Sequence, residues 1–165
     1  MRYMKLDDSQ RQAMLDSLRH MSTWLAAEFA DLSREQALIP GPEGTFSPVE
    51  QVWHLADLER EGFGARISRL LAEPNPHLPD FDGTAIAQAR DYRSRSIAEG
   101  LAAFARARKE NLASLQTIAA AQWTRAGLLE GVGPVSLCDM PSFMSQHDAA
   151  HRAEIEAWRR SLEKH

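Results

Sequence analysis

The clearest indication of chemistry in this sequence is a pair of histidines, His147 and His151, in the segment Ser145–Arg152. If the segment is helical, residues four apart lie on the same face about one turn from each other, and their side chains converge. Neutral imidazole is the commonest protein ligand of transition metals. The pair therefore has the spacing of two metal ligands.

A third histidine, His54, lies in another strongly helical stretch, Trp53–Asp57. Three imidazoles form a familiar transition-metal site that leaves a coordination position open. Other metal patterns do not account for these residues, because the chain lacks the zincin motif and has a single cysteine. The segment from Glu50 to His54 is also one residue too long for the glutamate and histidine unit of a di-iron bundle. A mononuclear site fits better.

An ordinary structural role is the alternative for these histidines. His147 and His151 fall on an apolar stripe with Phe143 and Ile155, so hydrogen-bonded core histidines would also explain the pair. A cation would instead satisfy both imidazoles at once. From the pair alone, both interpretations stay open. His54 lies at the predicted core boundary and becomes a candidate ligand if its helix packs beside the last one.

The other three histidines are left out of the predicted site. His20 lies on the first predicted helix, His77 lies in a proline-rich connection, and His165 is terminal. Solvent exposure or capping explains each of them more simply than metal binding.

The first two helices that must position the site are well marked. Apolar residues at intervals of three and four predict a helix from about Asp8 to Leu32, and the glycine and proline residues of Ile39–Gly44 predict the loop that follows. Ser47 then begins a second helix with a capping box and a proline in the first turn. The segment Glu73–Pro76 ends that helix.

A long connection precedes the third helix. Residues 77–92 read as irregular, with a short helix at Ala85–Arg90. A second capping box, Ser96–Glu99, then begins a helix that is predicted to end near Trp123.

A second long connection leads to the last helix. Glycines make Thr124–Asp139 a poor helix, in which Val135–Cys138 could be briefly extended. Pro141 suits the first turn of the fourth helix, which carries His147 and His151. Four long helices, with no set of alternating strands to build a sheet, predict an all-α four-helix bundle.

Composition excludes several classes of function. A chain of 165 residues with 44% hydrophobic and 25% charged residues predicts one globular domain over residues 1–165. A net charge of −4 gives no reason to expect nucleic-acid binding. The single cysteine, Cys138, permits no internal disulfide, and neither a signal peptide nor a membrane-spanning run is evident. We therefore expect a soluble cytoplasmic protein without membrane or nucleic-acid partners.

The order and spacing of these motifs resemble a known family. A start cap precedes Trp53–Asp57, a long third helix and a glycine-containing loop follow, and the segment His147–Ile155 closes the pattern. Over nearly the whole chain this resembles the DinB-like superfamily, which includes YfiT-type metal-dependent hydrolases. The resemblance implies a four-helix bundle, commonly a homodimer, with a divalent metal ion bound by His54, His147 and His151.

The resemblance implies a class of activity without fixing the reaction. Similar proteins include transferases that use low-molecular-weight thiols, a thiol-dependent isomerase and hydrolases. We expect a small-molecule substrate and activation of a thiol or water at the open metal position. Imidazole ligands suit zinc, nickel, copper and iron; zinc or nickel is expected first, with iron or manganese as alternatives. There are two competing hypotheses. One is a non-catalytic metal-binding or ligand-binding protein of the stress-response kind, and the other is a purely structural triad.

No acid or base could be assigned from the sequence. Asp57 and Glu61 lie on the His54 side of the second predicted helix, and Glu154 follows His151, so any of them could orient a ligand or relay a proton. Solvated or salt-bridged roles are the simpler expectation for all three. Cys138 lacks an activating neighbour in the sequence and is expected to be a buried thiol.

Overall fold

Long helices account for most of residues 3–164, the part of the chain that this computed structural model describes. In chain order the helices are α1 (Asp8–Glu28), α2 (Arg34–Ala37), α3 (Pro48–Asp57), α4 (Ala65–Ala72), α5 (Gly83–Ala89), α6 (Ile97–Gln116) and α7 (Met140–Leu162). A π-helical segment, Leu58–Gly64, joins α3 and α4 into one long helix. Together with α1, α6 and α7 this helix forms the predicted four-helix bundle, which is confirmed. His165 lies outside the described residues.

The predicted helix starts are confirmed by their caps. Glu50 Oε1 accepts from the backbone N–H of Ser47 at 3.2 Å and from its hydroxyl at 2.7 Å. At the start of α6, the Ser96 hydroxyl accepts from the backbone N–H of Glu99 at 3.2 Å. Such caps satisfy donors that the first helical turn leaves unpaired, so they determine where each helix begins.

Two predicted helix ends were wrong. The helix expected to reach Leu32 ends at Glu28, and Ser33 caps the separate short helix α2 by accepting from the N–H of Gln36. The third helix was expected to end near Trp123 but ends at Gln116. In both cases apolar residues beyond the end of the helix lie in turns and still pack into the core. The apolar pattern of the sequence therefore continues past the end of the helix.

A small sheet is present, although the sequence predicts only a briefly extended segment at Val135–Cys138 and no set of strands to build a sheet. The strands are β1 (His77–Leu78), β2 (Ala126–Leu129) and β3 (Gly133–Ser136), in the order β1-β2-β3, with β1 parallel and β3 antiparallel to β2. They are too short to show an alternating pattern in sequence. The β2–β3 turn contains Gly131 with φ of 78°, a conformation that glycine adopts without strain. The sheet replaces part of the two predicted irregular connections.

The π-helical segment changes which side chains face the core. The wider turn rotates α4 relative to α3, and it buries Glu59 within the bundle. A Cβ at Gly64 would lie 3.0 Å from Asn111 Oδ1 and 3.1 Å from the carbonyl oxygen of Glu59. Glycine at this position therefore allows α6 to approach the segment closely.

A buried ion network joins this segment to three bundle helices. Arg108 on α6 donates to both carboxylate oxygens of Glu59 at 2.8 and 3.0 Å. It also donates to both oxygens of Asp148 on α7 at 2.8 Å and to the carbonyl oxygen of Leu18 on α1 at 2.8 Å. Asn111 donates to Glu59 Oε1 at 3.0 Å. Every member that carries a charge is thus hydrogen-bonded, as buried ions require.

Two apolar clusters of the core meet along α7, at the position of the histidine pair. Met144 packs with one buried cluster, which includes Phe63 and Leu112, and Ile155 packs with another, which includes Phe104. His147 and His151 lie between these two positions on the helix. Among residues 3–164, no helix is long and apolar enough to cross a membrane.

Candidate metal centre

The structure brings the three predicted histidines together. His54 lies on α3, and His147 and His151 lie one turn apart on α7. The ring centroids are 4.5 Å apart for His147 and His151, 4.8 Å for His54 and His151, and 5.6 Å for His54 and His147. One nitrogen from each ring lies within 4.8 Å of the others. This is the only group of three or more His, Cys, Asp or Glu side chains in the described chain with such spacing.

The burial of the three histidines and the hydrogen-bond partners of their nitrogens indicate whether this group suits a cation. His54 and His151 are each only 7% exposed, and His147 is partly buried. The Nδ1 atoms of His54 and His147 are buried without a hydrogen-bond partner among the described residues. Leaving buried polar atoms unpaired costs free energy, whereas a cation would use imidazole lone pairs. Rotation of an imidazole ring can turn either of its nitrogens toward an ion. The three histidines therefore fit a divalent transition metal.

The separation of the nitrogens indicates how such an ion would fit. Metal to nitrogen distances of about 2.0 to 2.1 Å give nitrogens roughly 3.4 Å apart around a tetrahedral ion. The observed limit of 4.8 Å is larger. Binding an ion would require side-chain rotations that bring the most distant nitrogens roughly 1.4 Å closer together.

All three imidazoles are neutral near pH 7. The pKa of His54 is lowered to about 4, chiefly by burial and also by repulsion from His147, while Asp57 acts in the opposite direction. The pKa of His151 is lowered to about 3, chiefly by burial and also by its two histidine neighbours. The pKa of His147 is also lowered, chiefly by burial. A metal ion would therefore find unprotonated ligands and displace no protons.

Gln51 and Glu154 orient His151. Gln51 donates from Nε2 to Glu154 Oε2 at 2.6 Å, so its Oε1 is the acceptor for His151 Nδ1 at 2.6 Å. That hydrogen bond places the proton of His151 on Nδ1 and leaves Nε2 with a free lone pair. Partners of this kind fix the tautomer and orientation of metal-binding histidines. Gln51, which the sequence analysis missed, lies three residues before His54, so helical spacing alone could have suggested it.

Aromatic rings and a glycine enclose the His54 imidazole. Phe46 and Phe81 lie 5.4 and 6.1 Å from it between ring centroids. Gly83, at the start of α5, contacts the ring so closely that a Cβ there would lie 2.6 Å from His54 Cε1 and 2.7 Å from Nδ1. The short helix α5 therefore covers His54, and its first residue must be small.

A pocket of about 390 Å³ opens beside His147. Its lining is mostly apolar, with contributions from the π-helical segment, from α7 and from the β2–β3 turn. Arg66 on α4 and Asp80 supply charge. Pockets of this size hold small molecules. The candidate centre thus has an adjoining space in which a substrate could lie.

The predicted acid and base candidates occupy different places. Asp57 is buried and accepts from Tyr92 Oη at 2.6 Å and from Arg90 at 2.7 Å. Glu61 pairs with Arg90 at 2.6 Å near the surface. Glu154 contacts the site, since its Oε2 accepts from Gln51 at 2.6 Å and lies 3.6 Å from His151 Nδ1. The salt-bridged role expected for Asp57 and Glu61 agrees with these contacts.

The remaining sequence candidates lie outside the site. Cys138 is buried, and its sulfur accepts from the backbone N–H of Met4 at 3.1 Å. His20 and His77 are exposed, as expected from their positions in the sequence. None of the three belongs to the group of converging ligands.

Comparison with known families identifies the family of this chain. The model of the DinB superfamily matches residues 14–155, which is most of the chain. The chain belongs to the DinB superfamily. A comparison with curated proteins found no match for this DinB-superfamily protein.

The bundle is similar to that of a solved structure, YfiT from Bacillus subtilis. The TM-score is 0.87 at 19% sequence identity, and the alignment covers 96% of this chain and 90% of YfiT. YfiT is described as a probable metal-dependent hydrolase with an unusual four-helix bundle topology. At this identity the likeness shows that the two DinB-like chains share a fold.

Replacing Gln51 with leucine should weaken metal binding by about 10- to 100-fold, because His151 loses the acceptor that orients it. Competition with a chromogenic chelator measures the change. Gln88→Leu, at an exposed position on α5, is the matched control and should leave the affinity unchanged. Equal affinities for the two variants would show that Gln51 does not position His151.

Proposed function

We propose that this protein is a metal-dependent enzyme in which His54, His147 and His151 bind one divalent cation. The observation that carries the proposal is the convergence of three neutral imidazoles, of which two are buried, one is partly buried and two have an unpaired Nδ1. Zinc or nickel fits this donor set best, with iron or manganese as alternatives. Membership of the DinB superfamily and the description of the similar YfiT as metal-dependent support it.

The chemistry would be activation of a nucleophile beside the pocket. A divalent cation with three imidazole ligands supplies Lewis acidity at an open position, which lowers the pKa of water or a thiol there. Gln51 holds His151 with Nε2 free, and α5 shields His54 from solvent. The apolar pocket beside His147 would exclude bulk water and hold a small electrophile. The reaction would be hydrolysis, or transfer of a low-molecular-weight thiol.

The family resemblance also leads us to propose a homodimer. Val132, in the β2–β3 turn, is 63% exposed and lies at the rim of the pocket, where a second copy could cover it. Light scattering at micromolar concentration distinguishes a dimer from a monomer.

The test combines metal analysis with turnover. Protein purified without chelator or metal-affinity resin should contain about one transition-metal ion per chain, and a panel of esters and electrophiles should be assayed with and without thiols. Turnover that EDTA removes and the native metal restores is the expected result. Stoichiometric metal without turnover on the panel would support a binding protein instead. Substoichiometric metal, together with stability that EDTA does not change, would indicate a structural triad.

A further inference from the structure

Arg66 is a buried arginine without a partner. It lies on α4, is 9% exposed, and forms no hydrogen bond or ion pair with any residue in the described range 3–164. Its Nε is fully buried and unpaired. The one contact that its guanidinium makes with a π system is with Phe63, at 5.7 Å from the ring centroid. The other buried arginine, Arg108, is by contrast hydrogen-bonded to two carboxylates.

An unpaired buried guanidinium is costly unless something outside the chain pairs with it. Isolated charges lose their hydration on burial, and a hydrophobic side chain of similar volume would pack at this position without that cost. The cost is compensated if a ligand supplies an anion. Arginine suits that role, since its planar fork matches the two oxygens of a carboxylate.

The neighbouring carboxylate does not fill this role. Asp80 lies in the same pocket and exerts an attraction on Arg66, but the two form no ion pair. Asp80 is exposed, and its Oδ1 accepts from the backbone N–H of Phe81 at 2.8 Å. Arg66 therefore has no carboxylate partner among the described residues.

The pocket relates Arg66 to the candidate metal centre. Arg66 and His147 both line the space of about 390 Å³, and the charge of Arg66 contributes to the electrostatic environment of His147. Between them the walls are apolar, including the aromatic rings of Phe63, Phe81 and Phe143. A ligand in this space would meet the charge of Arg66, mostly apolar walls and His147.

We infer that this pocket binds a small molecule with a carboxylate on an apolar body, the carboxylate paired with Arg66 and the body extending toward His147. A single guanidinium beside Asp80 favours a singly charged carboxylate over a doubly charged phosphate. This inference deepens the proposed function. It rests on that function for one point, the reaction at the end of the ligand that lies toward His147. Binding to Arg66 itself does not require the metal.

The test compares matched acids and amides as probes. Calorimetry measures binding of 3-phenylpropanoate, hexanoate and benzoate, each against its neutral amide, to zinc-loaded and to EDTA-treated protein. The wild type should bind at least one acid about ten- to a hundredfold more tightly than its amide. Arg66→Met should lose that preference and Arg66→Lys should keep part of it. Arg106→Met, at an exposed position on α6, should match the wild type.

The outcomes separate this inference from the proposed function. A preference that depends on Arg66 with and without zinc supports the carboxylate site, even if the triad binds no metal. Equal binding of every acid and amide, or an unchanged preference in Arg66→Met, overturns it. A preference that EDTA abolishes also overturns it, because the carboxylate would then lie on the metal. Thermal unfolding checks folding, and Arg66→Met should be at least as stable as the wild type, because it removes an unpaired charge.

Discussion

His151→Ala should abolish binding of the proposed metal ion. His151→Ala removes one of three imidazoles and also the donor to Gln51. Loss of a partner outside the ligand set already weakens metal affinity about 10- to 100-fold, so loss of a ligand should exceed 100-fold. Elemental analysis after dialysis should find far less than one ion per chain. Turnover on any substrate identified for the wild type should fall to background.

The matched controls are histidines outside the triad. His20→Ala and His77→Ala alter exposed positions on α1 and β1 and should retain the metal. His54→Ala and His147→Ala should behave like His151→Ala, because the proposed ion requires all three side chains. The metal assignment would be wrong if the alanine variants of the triad bound metal as tightly as His77→Ala does.

The parts of the fold that the sequence predicts are those encoded locally. Ser47 and Ser96 begin helices because capping depends on residues only three positions away. The convergence of His147 and His151 depends on the same short range, one turn of α7. His54 required a further assumption, that two distant helices pack side by side, and the family resemblance supplied it.

The parts that the sequence does not predict depend on tertiary contacts. A periodicity of 3.6 residues assumes a uniform helix, so it passes over the π-helical segment Leu58–Gly64 and the burial of Glu59. Strand β1 pairs with β2 across about 50 residues, which strands of two and four residues do not signal in the sequence. Gln51 and Arg66 look like ordinary surface residues in the sequence. Their roles follow from what they contact, or fail to contact, in the folded chain.

The buried ion network leads to the largest expected effect on stability. Arg108→Met should lower the free energy of unfolding by about 3 to 5 kcal/mol, because Glu59 and Asp148 would remain buried without their cation. Burial alone would lower the pKa of Arg108, yet its hydrogen bonds and attraction to Asp148 and Glu59 raise it overall. Urea unfolding at pH 7 measures the change. Arg106→Met on the exposed face of α6 should stay within about 0.5 kcal/mol of the wild type.

Neutralising the two carboxylates tests the cause. If uncompensated charge destabilises Arg108→Met, adding Glu59→Gln and Asp148→Asn to it should recover at least about half of the loss. Failure to recover would indicate that the packing of Arg108 on Phe104, at 4.8 Å from the ring centroid, is what matters. The same substitution at Arg66 should have the opposite sign, because no carboxylate there is left unpaired. Arg108 would then stabilise the bundle, whereas Arg66 would lower the stability of the protein and bind a ligand.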